Sequence, residues 1–495
     1  MNDKMLGKVL MIQGTASGVG KSLLAAGIAR YFTRKGVRVA PFKAENMSLN
    51  SGVTGKGEEV ARAQILQALA CGMEPDSRIN PVLLKPQGDA IQVVIRGKVW
   101  QTVPPFSLSS EKAFLEKIIG ESFESLRREF DLVVVEGMGS PVELNLKEQD
   151  LANMGFALRF RCPVILVGDI ERGGVFASLY GTWALFTDAE KELLKGFVIN
   201  KLHGVKDILQ KGIEKLELLT GVPVLGVVPY GGFYLDDEDS LNLKTAKSNA
   251  SRGEITVGVL HLPHVANTSD FQPLLLEEDV TLLFIPPQGD LTGLDLLIVP
   301  GTKNTMEDLI LLHKYDFRNR VQDYLARGGV VLGVCGGFQM LGISVQDPWH
   351  LESSKGEVHG LSLLDVVTEL RPEKVLRRVN GVWSKDVRAR MEGYEIHHGQ
   401  TVALTSYSPF FLLDSGEPEG VVCHDRVFGT YCHGLFDHNN FRRCFLNFLR
   451  TRKGLPPVLQ GGPSWKEKTI QELDALVEFL QAHLDFQALE SILSN

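Results

Sequence analysis

Short apolar runs rich in β-branched residues alternate along the chain with segments of helical length that have one apolar face. The runs in the first half are KVLMIQG, RVAPFK, DLVVVEG, PVILVGD, GFVINK and PVLGVVP, and a helix is predicted from about Lys21. Buried strands that alternate with amphipathic helices are typical of a parallel sheet covered on both faces. The pattern therefore predicts an α/β fold built on a doubly wound, mostly parallel sheet.

A second series of the same kind begins near residue 254 with EITVGVLHLP, DLLIVPG and VVLGVCG, after a polar stretch at 231–253 that breaks the alternation. Polar stretches between periodic segments are typical of linkers. We therefore expect two doubly wound domains, a linker between them, and a tail with a loop and a helix. The predicted boundaries are 1–235 for the first domain, 236–252 for the linker, 253–450 for the second domain and 451–495 for the tail.

Composition narrows the class of protein. The chain has 495 residues, which at typical domain size suggests about two to four domains. Its net charge of -8 offers no general attraction for nucleic acid or an anionic membrane. No apolar run reaches the roughly 18 residues that span a bilayer, and the six cysteines lack metal-type spacing. We expect a cytoplasmic protein with reduced thiols; the pattern specifies no oligomeric state.

A glycine-rich stretch, GTASGVGKS, lies between the first predicted strand and the first helix. Backbone N–H groups of such a loop surround phosphates, the lysine adds a positive charge, and the serine hydroxyl can bind Mg²⁺. The residues predicted to bind ATP phosphates here are Gly14, Thr15, Gly18, Gly20, Lys21 and Ser22. Five residues, not four, separate Gly14 from Gly20, so the standard P-loop spacing is not met. The alternative is a simple turn with an exposed lysine.

The longer loop resembles that of dethiobiotin synthetase-like ligases, which activate a carboxylate with ATP. This resemblance implies an acidic Mg²⁺ ligand at a later strand end, and Glu136 closes the run DLVVVEG. Ser22 and Glu136 are thus the predicted metal ligands. Lys43, which closes RVAPFK, could neutralise a phosphate or the substrate carboxylate.

Two polar series follow predicted strands in the first half. One includes Ser48, and the other continues to Asp169, Glu171 and Arg172. The members predicted to lie on the substrate side are Asn46, Asn50, Asp150 and Asn153. For each of them a structural role is an open alternative.

The stretch VVLGVCGG leads from a predicted buried strand through Cys335 into a pair of glycines. A strand-turn-helix elbow of this kind exposes a nucleophile above a sheet. His433, in GTYCHGLFD, could accept the thiol proton. Backbone groups of Gly301, Thr302 and Gly336 are predicted to form the glutamine loop and to stabilise an oxyanion. A buried, inert cysteine is the alternative.

These features resemble a class I, or triad, glutamine amidotransferase domain over about 254–441. A dethiobiotin synthetase-like P-loop domain ahead of a flavodoxin-like amidotransferase domain is similar to the cobalamin-pathway amidotransferases. The phrases FKAENMSLNS, EGMGSPVELNL, DLANMGFA, PHVANTSDF and EGYEIHHGQT resemble the cobyric acid synthase family. The resemblance implies ATP- and glutamine-dependent amidation of the b, d, e and g carboxylates of adenosylcobyrinic acid a,c-diamide, through acyl phosphates and ammonia.

One position departs from the triad pattern. The glutamate expected two residues after His433 is replaced by Leu435, so a backbone carbonyl or a carboxylate such as Asp437 would have to orient the imidazole. In EGYEIHHG, adjacent His397 and His398 point to opposite faces if the segment is extended, so at most one reaches the site.

Two other functions stay open. One is amidation of a different carboxylate, as in cobyrinic acid a,c-diamide synthase or in muropeptide amidation. The other is a non-enzymatic ATP switch of the ParA/MinD kind with a degenerate amidotransferase-like domain. The switch predicts no functional nucleophile, whereas Cys335 and His433 are both present.

Overall fold

The computed structural model describes residues 6–87, 90–233, 235 and 253–494, and its chain divides into two compact units. The first unit is Met1–Ser48, Glu59–Glu238 and Thr469–Asn495, and the second is Leu49–Glu58 and Asp239–Lys468. The predicted linker, 236–252, lies outside the described residues. Residues 49–58 therefore group with the second unit although both of their flanks belong to the first.

The secondary structure follows the predicted alternation. Strands β1 to β12 are Lys8–Gly14, Val39–Phe42, Glu45–Met47, Ser51–Val53, Glu59–Ala61, Val82–Gln87, Ala90–Ile95, Lys98–Val103, Leu132–Glu136, Val164–Asp169, Leu194–Leu202 and Val224–Pro229. Helices α1 to α7 are Lys21–Arg34, Arg62–Ala70, Lys112–Glu129, Met154–Phe160, Val175–Ala184, Asp188–Leu193 and Gln210–Thr220.

The later part of the chain continues in the same way. Strands β13 to β25 are Ile255–Leu260, Val280–Ile285, Leu296–Val299, Val330–Val334, Ser344–Gln346, Glu357–His359, Val366–Trp383, Asp386–Ala403, Phe411–Leu413, Pro418–Glu419, Val421–Cys423, Val427–Thr430 and Cys432–His433. Helices α8 to α13 are Thr305–Lys314, Phe317–Ala326, Gly336–Leu341, Asn439–Arg452, Trp465–Gln481 and Phe486–Ser494. Short 3₁₀ helices lie at Ser77–Ile79, Pro105–Glu111, Lys147–Gln149, Lys206–Leu209 and Thr268–Leu276.

The first unit is built on a parallel six-stranded sheet in the order β12-β11-β10-β1-β9-β2. Along β1, Val9 and Met11 enter one apolar layer while Leu10 and Ile12 enter the other. Because successive side chains of a strand point to opposite faces, a run that is apolar throughout needs cover on both sides. The α/β prediction for this half is confirmed. A smaller sheet, β3-β6-β7-β8, adjoins it within the unit.

The tail completes one of these layers. Helix α12 packs on α1, where a Cβ added to Gly27 would lie 2.4 Å from the side chain of Leu480. An ion pair of 2.9 Å between Arg30 and Asp474 joins the same two helices. The helical tail is confirmed, and the structure divides it into α12 and α13.

The second unit has a six-stranded sheet, β14-β13-β15-β16-β24-β23, in which only the edge strand β23 is antiparallel. A second sheet is built around β19 and β20, which pair antiparallel, and β25 adjoins β20. In the part of the chain that the structure describes, no helix is both long and apolar enough to cross a bilayer.

Candidate active sites

In the second unit, three neighbouring strands bring the predicted glutaminase residues together. Strand β16 lies between β15 and β24. Cys335 follows β16, the loop at 300–304 follows β15, and β24 leads into His433 of β25. Carboxyl ends of neighbouring parallel strands meet at one sheet edge, which is where open α/β sheets bind ligands.

Cys335 occupies a strained turn between β16 and α10. Its φ of 52° and ψ of -112° are uncommon for a residue with a side chain. Helix α10 can begin directly after it because Gly337 has no Cβ, which would lie 1.9 Å from the carbonyl oxygen of Val299. The thiol is 3.7 Å from the carbonyl oxygen of Ile396. This is the geometry of a nucleophile elbow.

The space beside the thiol is lined by backbone. A Cβ added to Gly301 would lie 3.7 Å from Cβ of Cys335 and 3.1 Å from Cε1 of His433. A Cβ added to Gly336 would lie 3.1 Å from the amide nitrogen of Thr302. Glycine at both positions therefore leaves room for a substrate amide next to the sulfur. The amide nitrogen of Thr302 lies close to this space.

A carboxylate orients the imidazole of His433. Its Nδ1 lies 2.6 Å from Oδ2 of Asp270, whose other oxygen accepts a bond of 3.2 Å from the amide of Gly434. Burial alone lowers the pKa of His433, but the Asp270 carboxylate and Cys335 raise it to about 10. The sequence analysis suggested Asp437 for this position; the structure places Asp270 there instead, while Leu435 is buried in the core.

Aromatic rings enclose this site. The ring of Tyr394 stacks on His433 with centroids 5.3 Å apart, and Tyr431 stacks on His397 at 3.7 Å. His397 is buried, whereas His398 is partly exposed and contacts the carbonyl oxygen of Arg371. The adjacent histidines thus point to opposite faces, as expected for a strand.

In the first unit, the glycine-rich loop joins β1 to α1 as predicted. Gly18 and Gly20 have φ of 71° and 94°, which favour glycine. The ammonium of Lys21 donates to the carbonyl oxygens of Ala16 at 2.9 Å and Gly139 at 3.1 Å. The Lys21 side chain is therefore bonded both to its own loop and to Gly139. The loop has one residue more than the standard P-loop between Gly14 and Gly20.

Glu136 is the centre of a buried polar cluster beside that loop. Strand β9, which ends at Glu136, lies between β1 and β2, so its carboxylate meets residues that follow both neighbours. Ser22 donates to it at 2.7 Å, Lys43 at 2.8 Å and Gln67 at 2.6 Å. Hydroxyl and carboxylate oxygens are ligands that Mg²⁺ prefers, so Ser22 and Glu136 fit such an ion.

The four predicted substrate-side residues fall in different places. Asn46 donates to Gln64 at 2.6 Å in the interior of the first unit. Asn153 pairs with the backbone of Met138, and Asp150 accepts three backbone N–H groups of the turn that follows it. Asn50 belongs to the second unit.

Two further polar residues of the first unit were not among the predicted site residues. Asn200, at the end of β11, donates to the carbonyl oxygen of Val19 in the loop at 2.8 Å. Burial and then the nearby Asp150 carboxylate raise the pKa of Glu45 to about 7. Polar residues at strand ends, as in VINK and KAEN, are the pattern that could have identified them.

Comparison with known proteins identifies two domains in the chain. Residues 10–232 match the CobQ/CobB/MinD/ParA nucleotide binding domain, and residues 256–441 match the CobB/CobQ-like glutamine amidotransferase domain. The chain is 43% identical to the cobyric acid synthase of Citrobacter koseri over 99% of both chains. It is 44% identical to that of Photorhabdus laumondii and 41% identical to that of Clostridium acetobutylicum, in each case over 98% of both chains.

This chain belongs to the cobyric acid synthase family. The resemblance drawn from its motifs is thereby confirmed, as is its assignment as a glutamine-dependent ligase enzyme of cobalamin biosynthesis. Within this family the nucleotide-binding domain and the amidotransferase domain correspond to the two clusters described above, one around Glu136 and the other around Cys335.

Proposed function

We propose that this cobyric acid synthase family member amidates the b, d, e and g carboxylates of adenosylcobyrinic acid a,c-diamide to give adenosylcobyric acid, with ATP and glutamine as co-substrates. Near-complete alignment with curated cobyric acid synthases carries the proposal. The proposal is also supported by the chain itself, which carries both a glycine-rich loop of the phosphate-binding kind and a cysteine–histidine–aspartate cluster.

In the glutaminase step, the Cys335 thiolate attacks the γ-amide carbon of glutamine, and the carbonyl electrons move onto an oxyanion beside Gly336 and Thr302. The C–N bond then breaks, and the His433 imidazolium gives its proton to the departing ammonia. Water hydrolyses the resulting thioester, which releases glutamate and restores the thiol. Asp270 keeps the imidazole oriented and supports its positive charge.

In the synthetase step, a corrinoid carboxylate takes the γ-phosphoryl group of ATP and releases ADP. Ammonia attacks the acyl phosphate carbon, and inorganic phosphate leaves as the amide forms. Lys21 and the loop amides bind the transferred charge, and Lys43 is placed for phosphate or carboxylate. Mg²⁺ held by Ser22 and Glu136 would neutralise phosphate charge.

Several finer assignments belong to this proposal. We assign the ligase to the domain predicted at 1–235 and the glutaminase to the domain predicted at 253–450, with 236–252 as linker and 451–495 as tail. The substrate-side roles of Asn46, Asp150 and Asn153 stay predictions. So does the cytoplasmic location.

Mass spectrometry of the corrinoid tests the proposal. The protein is incubated with adenosylcobyrinic acid a,c-diamide, ATP, Mg²⁺ and glutamine labelled at its amide nitrogen. Label in the b, d, e and g amides, with matching release of glutamate and ADP, is the expected result. ATP hydrolysis without glutamine consumption would favour the switch. Label in cobyrinic acid or a muropeptide in parallel incubations, with none in adenosylcobyrinic acid a,c-diamide, would favour a different carboxylate.

A further inference from the structure

A ten-residue piece of chain, residues 49–58, leaves the first unit after Ser48 and returns to it at Glu59. We call it the crossing segment. It groups with the second unit, where Asn50, Ser51, Val53 and Thr54 are buried. The segment is thus part of the glutaminase unit although its sequence neighbours belong to the nucleotide-binding unit.

Two hydrogen bonds connect the crossing segment to Asn267. The amide N–H of Asn267 donates to Oδ1 of Asn50 at 2.8 Å, and the amide N–H of Ser51 donates to Oδ1 of Asn267 at 3.1 Å. Asn267 has a φ of 53° and precedes the 3₁₀ helix that carries Asp270. Asparagine is one of the few residues besides glycine that adopt this left-handed conformation, and the paired bonds help to hold the turn.

A third bond connects the crossing segment to a ring beside His433. The hydroxyl of Tyr394 donates to the carbonyl oxygen of Ser51 at 3.1 Å, and the Tyr394 ring stacks on His433. Nδ2 of Asn267 is 3.5 Å from Nδ1 of His433. Two neighbours of the imidazole are therefore bonded to one segment, Asn267 to Asn50 and Ser51, and Tyr394 to Ser51.

From this arrangement we propose that Asn50 and Ser51 are positioning residues of the glutaminase, which set the placement of His433 through Asn267 and Tyr394. The proposal rests on the proposed function of Cys335 and His433. It differs from the substrate-side role predicted for Asn50 from sequence. It follows that the glutaminase is complete only when the nucleotide-binding half of the chain supplies this segment.

The test compares two nitrogen sources in the full-length protein. Asn50→Ala removes the acceptor of a buried N–H group, and small displacements of a catalytic group are costly, so the ratio of glutamine-dependent to ammonia-dependent amidation should fall about tenfold or more. The kcat of glutamine hydrolysis should fall while its KM changes little. Asn50→Asp keeps an acceptor oxygen and should recover most of the ratio.

Tyr394→Phe gives a second probe, because it keeps the ring that stacks on His433 and removes the hydroxyl that donates to Ser51. It should lower the same ratio. Gly55→Ala is the matched control within the segment, since an added Cβ there meets nothing within 4 Å, and it should leave the ratio unchanged.

Other outcomes overturn the proposal. An unchanged ratio in Asn50→Ala, or a parallel loss from both nitrogen sources, would assign Asn50 to the substrate side or to folding. If the wild-type protein amidates no corrinoid from either source, the proposed function fails, and the glutamine hydrolysis assay still decides the role of the segment on its own.

Discussion

At the scale of single residues, the pairing of His433 with Asp270 decides how the glutaminase responds to pH. A raised pKa means that the imidazole keeps its proton until the pH approaches about 10, so the proton donor for departing ammonia persists through neutral pH. Both groups are buried; burial lowers the pKa of His433, and the negative charge of Asp270 is the largest influence that raises it. Asp270 is therefore expected to affect both the rate of glutamine hydrolysis and the pH range over which it proceeds.

Asp270→Asn tests this directly. We expect kcat for glutamine hydrolysis to fall by up to about 10⁴-fold, which is the loss caused by the same aspartate-to-asparagine change in the catalytic triad of a serine protease. We also expect the alkaline limb of the pH profile of kcat/KM to move to lower pH. The measurement is glutamate release between neutral pH and the alkaline limb. Asp437→Asn is the matched control and should keep the wild-type profile. An unshifted limb in Asp270→Asn would remove Asp270 as the orienting group.

Cys335→Ala tests the nucleophile. Because only the supply of ammonia is lost, glutamine-dependent amidation should disappear while high ammonium at alkaline pH still supports synthesis. Cys444→Ala, a change outside the site on α11, should retain both activities. Loss of synthesis from both nitrogen sources in Cys335→Ala would point to a folding role for the cysteine.

Site residues that lie in a recognisable local motif could be predicted from sequence, whereas a residue brought in by a long-range contact could not. Cys335 and the glycine-rich loop lie in strand-to-helix turns whose glycines mark them locally. Asp270 is 163 residues from His433 in the chain, and nothing in its own neighbourhood indicates a histidine partner. The carboxylate nearest in sequence, Asp437, was the only one that local reasoning could offer. The roles themselves stay predictions until the variants are measured.

At the scale of elements, strand order explains the nucleotide site. Strands β1, β9 and β2 are neighbours, so the loop after β1, Glu136 at the end of β9 and Lys43 after β2 share one edge of the sheet. Apolar runs predicted these strands well because each is buried on both faces. The long β19–β20 hairpin was not predicted, because both strands are rich in charged side chains and lack the apolar runs that marked the other strands.

Lys21→Ala and Glu136→Ala should each remove synthesis from glutamine and from ammonia alike, since both act before the nitrogen source enters. Glutamine hydrolysis should persist in the absence of ATP and corrinoid. Steady-state ADP and amide formation are measured for each variant, with Lys8→Ala, an exposed change at the far end of β1, as control. A loss of less than about tenfold, or about 1.4 kcal/mol of barrier, would remove the role of that residue.

At the scale of the whole molecule, neither unit is a continuous stretch of sequence. The crossing segment belongs to the second unit and most of the tail to the first. The pattern of apolar runs predicted two domains because the alternating series breaks and restarts. It could not assign residues 49–58, since their unit is defined by contacts with residues distant in sequence, among them Asn267, Arg378 and Tyr394.

Because the crossing segment is attached at both ends to the nucleotide-binding unit, ordering of that unit by its substrates can reach Asn50 and Ser51, and through them His433. Glutamine hydrolysis by the full-length enzyme should therefore rise when ATP and corrinoid are both present. We expect a rise of about tenfold or more, which corresponds to a barrier lowered by about 1.4 kcal/mol.

Glutamate release is measured without substrates, with ATP or corrinoid alone, and with both, under conditions where glutamine is saturating. Lys21→Ala should weaken the rise because nucleotide no longer orders the loop, whereas Asn50→Ala should lose the rise even when nucleotide binds. If the rate is the same in all four conditions, the two active sites are not coupled. If Asn50→Ala keeps the full rise, coupling exists but passes through contacts other than the crossing segment.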